Sequence, residues 1–285
     1  MTHKRRHFLK AAALLSGAAF TGFAGPLKAL AEAPEPAALS KFGLQLYSLR
    51  DDLPKDPKGI LKQVALFGYK QIESYEGSKG IFWGMKNTEF KKYLDGLGMQ
   101  IVSSHCNWKQ DFEQKAAEAA AIGMKYLMCP YLGPQKTLDG FKEAADAFNK
   151  CGAICRKNGL RFAYHNHDYS FKQQDGQFPQ DVMMKGTDPA LVDFEMDIYW
   201  VVRAGQDPVA WFKKYPDRFR LGHVKDGKGG ETVTLGKGTI DFPAILKQAG
   251  KAGMQYFIVE QEEYTGTTPL AAAKDDAVYM KKLSI

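Results

Sequence analysis

One feature constrains the fold of this chain more than any other: short apolar runs alternate with amphipathic segments along most of its length. Eight runs of strand length begin at Gly43, Gln71, Ile101, Lys125, Arg161, Leu191, Arg220 and Tyr256. Between most of them lie segments with helical periodicity, such as 57–67, 88–97, 110–122, 138–158 and 242–252. An eightfold strand-helix alternation over a segment of this length predicts an α/β fold, a single (β/α)8 TIM barrel.

A doubly wound open sheet is the rival fold for such an alternation. Its nucleotide-binding forms carry a glycine-rich turn after the first strand. No G-x-G-x-x-G follows the first apolar run, and the sequence GSKG at 77–80 lacks the rest of a phosphate loop. The nucleotide-binding forms of the rival therefore lose support.

The first 31 residues have the character of an export signal. Four basic residues precede a short Gly/Ala-rich apolar stretch from Ala11 to Gly25, and Ala29-Leu30-Ala31 supplies small residues for cleavage. Arg5-Arg6-His7-Phe8-Leu9-Lys10 resembles the twin-arginine motif, with Lys4 where Ser or Thr is more usual. We therefore expect a signal peptide at 1–31, a linker at 32–40, a barrel at 41–285 and a periplasmic location, with no membrane span after cleavage.

Most of the excess positive charge lies in this predicted leader. Removing its five basic residues leaves 34 Lys and Arg against 32 Asp and Glu. A nearly neutral mature protein gives no support for nucleic-acid binding, which requires a strongly basic surface. The aromatic content of 12% is compatible with stacking on sugars and equally with contacts between subunits.

The four cysteines at 106, 129, 151 and 155 fit no common zinc-binding spacing. Buried thiols are the default expectation. Cys106 and Cys129 end two successive apolar runs, so a bridge between them is the alternative in an oxidising compartment.

Ionisable side chains stand at or near the ends of six of the eight predicted strands. In a TIM barrel the carboxyl ends of the strands form the active site. Burying many charges together without a counter-ion is costly. These residues are Glu73, His105, His165, His167, Asp197, His223, Lys225, Glu260 and Glu262.

Four of these side chains form the predicted metal site: His165, Asp197, His223 and Glu260. Taken singly, each residue is more often hydrogen-bonded or exposed than a ligand, but here they occupy the same relative position on four successive strands. Their nitrogen and oxygen atoms suit one divalent Mn, Co, Zn, Fe or Ni ion. Glu195 faces the same side as Asp197 one layer deeper, so an exchange of these two ligands stays open.

The motifs H-N-H-D at 165–168, E-M-D-I-Y-W-V-V-R-A-G-Q-D-P at 195–208, H-V-K-D at 223–226 and I-V-E-Q-E at 258–262 resemble the xylose isomerase-like barrel family. Its members are described broadly as sugar phosphate isomerases and epimerases, and the resemblance covers nearly all of 41–285. Family metal sites draw Glu, Asp, His and Glu from strands five to eight. The resemblance thus implies ligands at Asp197, His223 and Glu260, with His165 where the family has Glu.

The histidine at position 165 departs from the family pattern. In the ketose epimerases of the family, the glutamates of strands five and eight both bind the metal and move the proton. An imidazole is a different base, so simple two-glutamate epimerisation is in doubt here. Trp200 also stands where many members carry a His, and it is either a floor for a sugar ring or ordinary packing.

The chemistry that these residues support is removal of a proton alpha to a carbonyl. Reprotonation gives isomerisation or epimerisation, the leading interpretation, whereas loss of a beta substituent makes the protein a lyase. The candidate catalytic residues are Glu73, His167, Lys225 and Glu260; the alternative for Lys225 is an ion pair with Asp226 or a neighbouring carboxylate, and that for His167 is a helix cap.

The predicted location sets the expected substrate. Sugar phosphates are mainly intracellular, so an exported enzyme is expected to act on an unphosphorylated sugar or keto-glycoside. A non-catalytic carbohydrate-binding barrel is a further alternative. A DNA phosphodiesterase like endonuclease IV requires more metal ligands than this chain offers, and the near-neutral charge also disfavours it.

Overall fold

The computed structural model describes Leu39 and residues 41–283, in which eight parallel strands close into one barrel. Each strand pairs with its neighbours in chain order, and the last pairs with the first. The barrel strands are β1 (Gly43–Gln45), β2 (Gln71–Tyr75), β3 (Gln100–His105), β4 (Tyr126–Cys129), β5 (Arg161–His165), β6 (Val192–Asp197), β7 (Phe219–Val224) and β10 (Tyr256–Val259). This closed barrel confirms the fold predicted from the alternation.

Helices follow the strands and form the outer layer. They are α1 (Pro57–Phe67), α2 (Asn87–Gly96), α3 (Phe112–Ala121), α4 (Leu138–Lys157), α5 (Pro179–Gly186), α6 (Ile198–Arg203), α7 (Pro208–Lys214), α8 (Phe242–Lys251) and α9 (Pro269–Met280). Several begin with a side-chain cap followed by proline: Asp56 accepts from the Gly59 N–H before α1, and Asp241 accepts from the Ala244 N–H before α8. Sequence and structure therefore agree closely on where these helices start.

The sixth predicted strand is shorter than its apolar run. The run extends to Trp200, but β6 ends at Asp197 and residues 198–203 are the helix α6. Asp197 is the N-cap of this helix, and its Oδ1 accepts a hydrogen bond from the Trp200 N–H at 3.2 Å. Trp200 thus lies in a helix rather than in a strand-end turn.

A short antiparallel pair, β8 (Asp226–Lys228) and β9 (Glu231–Val233), projects after β7. The Asp226 carboxylate accepts hydrogen bonds from the N–H groups of Gly227, Gly236 and Gly238. Asp226 therefore stabilises the β8–β9 hairpin and the turn that follows it. It makes no ion pair with Lys225.

The inward-facing residues change from apolar to ionisable toward the mouth of the barrel. A small apolar cluster, which includes Ala163, Leu221 and Ile258, is separate from the large core packed between strands and helices. Successive strand residues face opposite sides, so alternate residues of one strand share the interior. On β6 these are Asp193, Glu195 and Asp197, at three levels from the bottom to the mouth.

All four cysteines are buried and none forms a disulfide. Burial raises the pKa of the Cys106 thiol to about 12. The four cysteines are therefore buried thiols, as expected by default, and Cys106 and Cys129 are not bridged.

The predicted leader at 1–31 lies outside the described residues, as does all of the predicted linker at 32–40 except Leu39. Within the described part, no helix combines the length and the apolar character that crossing a bilayer requires. Export by the twin-arginine route stays a prediction.

Candidate functional site

The four predicted metal ligands converge at the mouth of the barrel. One ligand atom from each of His165, Asp197, His223 and Glu260 lies within 4.8 Å of the others. His165 Nε2 lies 3.1 Å from His223 Nδ1, and His223 Nδ1 lies 3.0 Å from Glu260 Oε2. We call these four residues the rim set.

The parallel register explains why these residues meet. Asp197 on β6 is directly opposite His223 on β7, and His165 ends β5 beside Glu195. Glu260 follows β10, whose residue Ile258 pairs with His223. Each side chain therefore points inward at the level where its strand ends.

The rim set fits a divalent ion chemically. The His165 Nδ1–H faces the Pro130 carbonyl oxygen at 3.1 Å, and burial lowers the pKa of His165 to about 4. The ring is therefore neutral, with its Nε2 lone pair directed toward the other ligands. Asp197 Oδ2 is buried, and among the described residues no donor is aligned with it for a hydrogen bond. A neutral imidazole beside carboxylates is a donor set that transition metals prefer.

Lys225 lies among the carboxylates of this site. Its fully buried Nζ is 2.7 Å from Asp197 Oδ2, 2.7 Å from Glu260 Oε2 and 2.5 Å from Glu262 Oε1. Despite the opposing effect of burial, these carboxylates hold the pKa of Lys225 well above its usual value, while Lys225 and His223 keep the pKa of Glu260 low. Lys225 is therefore a charged ammonium that keeps Glu260 ionised.

A second group lies one level deeper and shares His223 with the rim set. We call Glu73, His105, Glu195 and His223 the deep set; one ligand atom from each again lies within 4.8 Å of the others. His223 Nε2 is 2.7 Å from Glu73 Oε1, and His105 Nε2 is 3.0 Å from Glu195 Oε2. Burial, followed by the neighbouring Glu73, raises the pKa of Glu195 to about 7. Glu195 thus belongs to the deep set and Asp197 to the rim set.

Glu73 is fully buried beneath His223 and away from the cavity lining. Gln45 Nε2 donates to its Oε1 at 2.8 Å, and Ser103 Oγ donates to its Oε2 at 2.5 Å. Although burial opposes the shift, His105 and His223 hold the pKa of Glu73 well below its usual range. This fixed carboxylate orients the His223 ring from below.

An open cavity of about 600 Å³ lies above the rim set. Of the predicted catalytic residues, His167 and Glu260 line it, whereas Glu73 and Lys225 do not. Burial lowers the pKa of His167 to about 2, so its ring is neutral, and its Nδ1 has no hydrogen-bond partner among the described residues. The His167 ring lies 5.0 Å from that of His165, so the two imidazoles of the H-N-H motif do face one site.

Several residues of the cavity wall have no role predicted from the sequence. Glu262 was noted only as a strand-end residue, and four aromatic side chains went unnoticed. The aromatic residues are Tyr47, Tyr75, Trp108 and Tyr131. Their common position, at the end of one of the first four strands or within about three residues after it, was the available signal.

Comparison with known proteins places this architecture in a family. A family model described as xylose isomerase-like TIM barrel matches residues 61–283. An inosose dehydratase from Lacticaseibacillus casei is 27% identical over 265 residues, which cover 75% of this chain and 86% of that protein. Some other inosose dehydratases align over only about half of their own length.

Solved structures agree with this match. A sugar phosphate isomerase/epimerase from Parabacteroides distasonis ATCC 8503 is 32% identical, with a TM-score of 0.75, over 84% of this chain and 97% of that one. The IOLI protein, crystallised with a zinc atom, shares the fold at 15% identity and a TM-score of 0.67, over 84% of this chain and 97% of that one. The chain therefore belongs to the xylose isomerase-like TIM barrel family, whose matched members carry the names of isomerases, epimerases and dehydratases.

Proposed function

We propose that this protein is a metal-dependent lyase that removes a beta substituent from an unphosphorylated keto-sugar or keto-glycoside. The observation that carries the proposal is the convergence of His165, Asp197, His223 and Glu260 at the mouth of the barrel, where His165 and Glu260 also line an open cavity. A divalent ion held by these four residues would polarise the substrate carbonyl and acidify the neighbouring C–H.

Two carboxylates supply the proton transfers. Glu260 lines the cavity and is kept ionised by Lys225, so it accepts the proton alpha to the carbonyl. As the carbon-carbon double bond forms, the bond to the beta oxygen breaks. Glu262 also lines the cavity, so it is placed to donate a proton to the leaving oxygen. Burial raises the pKa of this carboxyl although the neighbouring Lys225 opposes the shift.

The remaining predicted catalytic residues act differently. His167 lines the cavity, so its ring is placed to contact a substrate hydroxyl. Lys225 holds the two carboxylates in place, and Glu73 orients His223 from below. Glu73 and Lys225 are therefore positioning residues in this proposal.

Two features favour elimination over epimerisation. The two carboxylates assigned to proton transfer, Glu260 and Glu262, both follow β10, and strand five offers His165 instead of a second glutamate for the opposite face of the substrate. The curated relatives named above are also called dehydratases. Isomerisation or epimerisation is the second candidate, favoured by the name of the Parabacteroides distasonis relatives.

The charge of the cavity favours an unphosphorylated substrate. Among its described lining residues, Lys109 is the only Lys or Arg, while Glu76, Glu260 and Glu262 are acidic. Phosphate groups are normally bound by Arg, Lys or helix N-termini. This agrees with the periplasmic location expected from the leader.

The test begins with metal content, measured by mass spectrometry after purification without metal-affinity columns. The loaded protein is then incubated in D2O with keto-glycosides, free keto-sugars and sugar phosphates, and NMR follows both alpha-deuterium exchange and release of the leaving group. We expect about one divalent ion per chain and release of the leaving group.

Each other outcome contradicts a specific part of the proposal. Deuterium exchange without release would replace the lyase with an isomerase or epimerase. Sugar binding with neither exchange nor metal would identify a binding barrel. Turnover confined to sugar phosphates would overturn the substrate class.

A further inference from the structure

The cavity has a floor and a wall of different chemistry. The floor consists of buried ionisable side chains such as His105, His165 and Glu260. The wall carries Tyr47, Tyr75, Trp108 and Tyr131. Tyr75 and Trp108 are half-buried, whereas Tyr47 is 39% exposed and Tyr131 is 56% exposed.

These aromatic residues come from four separate strand ends. Tyr47 follows β1, Tyr75 ends β2, Trp108 follows β3 and Tyr131 follows β4. Tyr47 and Tyr131 are two of only five large hydrophobic residues exposed in the described part of the chain. Apolar side chains that face solvent together around a cavity mark a binding surface.

The wall is held in shape before any ligand arrives. Tyr75 packs edge-on against Tyr47 and Trp83, with ring centroids 5.2 and 4.9 Å apart. Tyr131 packs edge-on against His167 at 4.9 Å. Rings fixed in this way offer a stacking surface at a small cost in conformational entropy.

Hydrogen-bonding groups lie next to these rings. Glu76, Asn107 and Lys109 line the same cavity, and Asn107 and Lys109 are exposed. A ligand on the wall therefore meets flat apolar faces together with polar groups. Such a combination suits a ring that has an apolar face and polar substituents.

We propose that the aromatic wall is a subsite for a second ring, joined to the reacting keto-sugar through the glycosidic oxygen. This proposal rests on the proposed function, and it names keto-glycosides as the substrate class in place of free keto-sugars. A cavity of about 600 Å³ lies well inside the range for drug-sized ligands, more than one sugar ring fills. With the keto-sugar on the floor, the glycosidic oxygen lies near Glu262 and the second ring faces the wall.

The experiment measures binding without chemistry. Isothermal titration calorimetry compares methyl glucoside, a glucose disaccharide and phenyl glucoside, none of which carries a keto group. For the wild type we expect the disaccharide, the phenyl glucoside or both to bind about 10-fold more tightly than methyl glucoside. Tighter binding of the disaccharide would assign the wall to a sugar ring, and tighter binding of phenyl glucoside would assign it to an aryl group.

Variants of the wall residues test whether the tighter binding of the second ring comes from the aromatic wall. In a Trp108→Ala/Tyr131→Ala double variant the advantage of the second ring is expected to fall to within about 2-fold. Tyr131→Ala alone, at an exposed position, preserves the test if the double variant does not fold. Leu66→Ala, which alters an exposed residue of α1 outside the cavity, serves as the matched control and should keep the full advantage.

Equal binding of all three glucosides by the wild type, or an undiminished advantage in the variants, would overturn the subsite. Because no reaction occurs, this result is independent of elimination. If the protein released a leaving group from a keto-monosaccharide but bound all three glucosides equally, the proposed lyase activity would be supported and only the subsite would be contradicted.

Discussion

The two halves of the barrel mouth differ in chemistry although their strands have the same geometry. The ends of β1 to β4 supply the aromatic wall together with His105 and Glu76, while the ends of β5, β6, β7 and β10 supply the rim set. In the ionisable half, buried charged groups lie in direct contact, such as Lys225 Nζ and Asp197 Oδ2 at 2.7 Å, whereas the aromatic half has exposed rings at Tyr47 and Tyr131. The comparison teaches that a symmetric scaffold can assign reaction to one half of its rim and substrate recognition to the other.

Of the predicted changes, metal removal should show the largest difference between catalysis by the ionisable half and binding by the aromatic half. Dialysis against a chelator is expected to abolish elimination, because the carbonyl is no longer polarised. Binding of phenyl glucoside, measured by calorimetry, should change by less than about 3-fold because the aromatic half is untouched. Turnover that survives with no detectable metal would contradict the division, as would equal loss of both properties.

Asp197→Asn is expected to lower kcat/KM by about 10⁴-fold, because it removes one ligand charge and the negative partner that lies 2.7 Å from Lys225 Nζ. Steady-state kinetics and metal analysis on the same sample check this. The asparagine oxygen can still cap α6, so the variant should fold, and circular dichroism tests that point. Normal metal content and activity would exclude Asp197 from the rim set.

Glu73→Gln tests whether the ionisable half depends on a residue that the substrate does not touch. We expect metal affinity to fall by about 10- to 100-fold, the usual effect of losing a carboxylate behind a ligand histidine. Metal titration of the apo protein measures this directly, and excess metal should restore most of the turnover. Ser103→Ala, which removes only the neighbouring hydrogen bond to Glu73, is the control and should have a smaller effect. A loss of kcat that excess metal does not restore would assign Glu73 a direct part in proton transfer.

Tyr47→Ala should produce the smallest change, confined to recognition. Loss of one stacking ring is expected to raise KM for a keto-glycoside about 3- to 10-fold and to leave kcat unchanged. Tyr47→Phe keeps the ring and should resemble the wild type. An equal fall in kcat for both variants would instead assign Tyr47 a direct part in the reaction.

Periodicity alone was enough to predict the scaffold. The eight apolar runs correspond to the eight barrel strands, and the five named helical segments agree with α1, α2, α3, α4 and α8 within two residues at each end. This works because a strand with two buried faces and a helix with one buried face leave different local patterns. The sixth run was overextended because Ile198, Tyr199 and Trp200 are as apolar as strand residues but belong to a capped helix.

The sequence also indicated which ionisable residues would meet, because parallel strands bring their carboxyl ends to one rim. It placed Glu195 one layer deeper than Asp197, but it did not assign Glu73 and His105 to that deeper level. Glu73 looked like a catalytic residue at a strand end, yet it is the third residue of β2 and lies under His223. How deep a side chain lies in the barrel depends on strand length, on bulges and on the register between strands. One example is the register shift between Ile72 and Glu73. Local sequence patterns do not record such features.

By itself the sequence determined the barrel and the set of side chains available at its mouth. Tertiary structure decided that Lys225 neutralises Asp197 and Glu260, that Glu73 supports His223 from below and that four separate tyrosine and tryptophan rings form one wall. The physical reason is that composition and periodicity are local properties. Burial, hydrogen-bond partners and the shape of a cavity depend on distances between residues far apart in the chain, which only the closed barrel fixes.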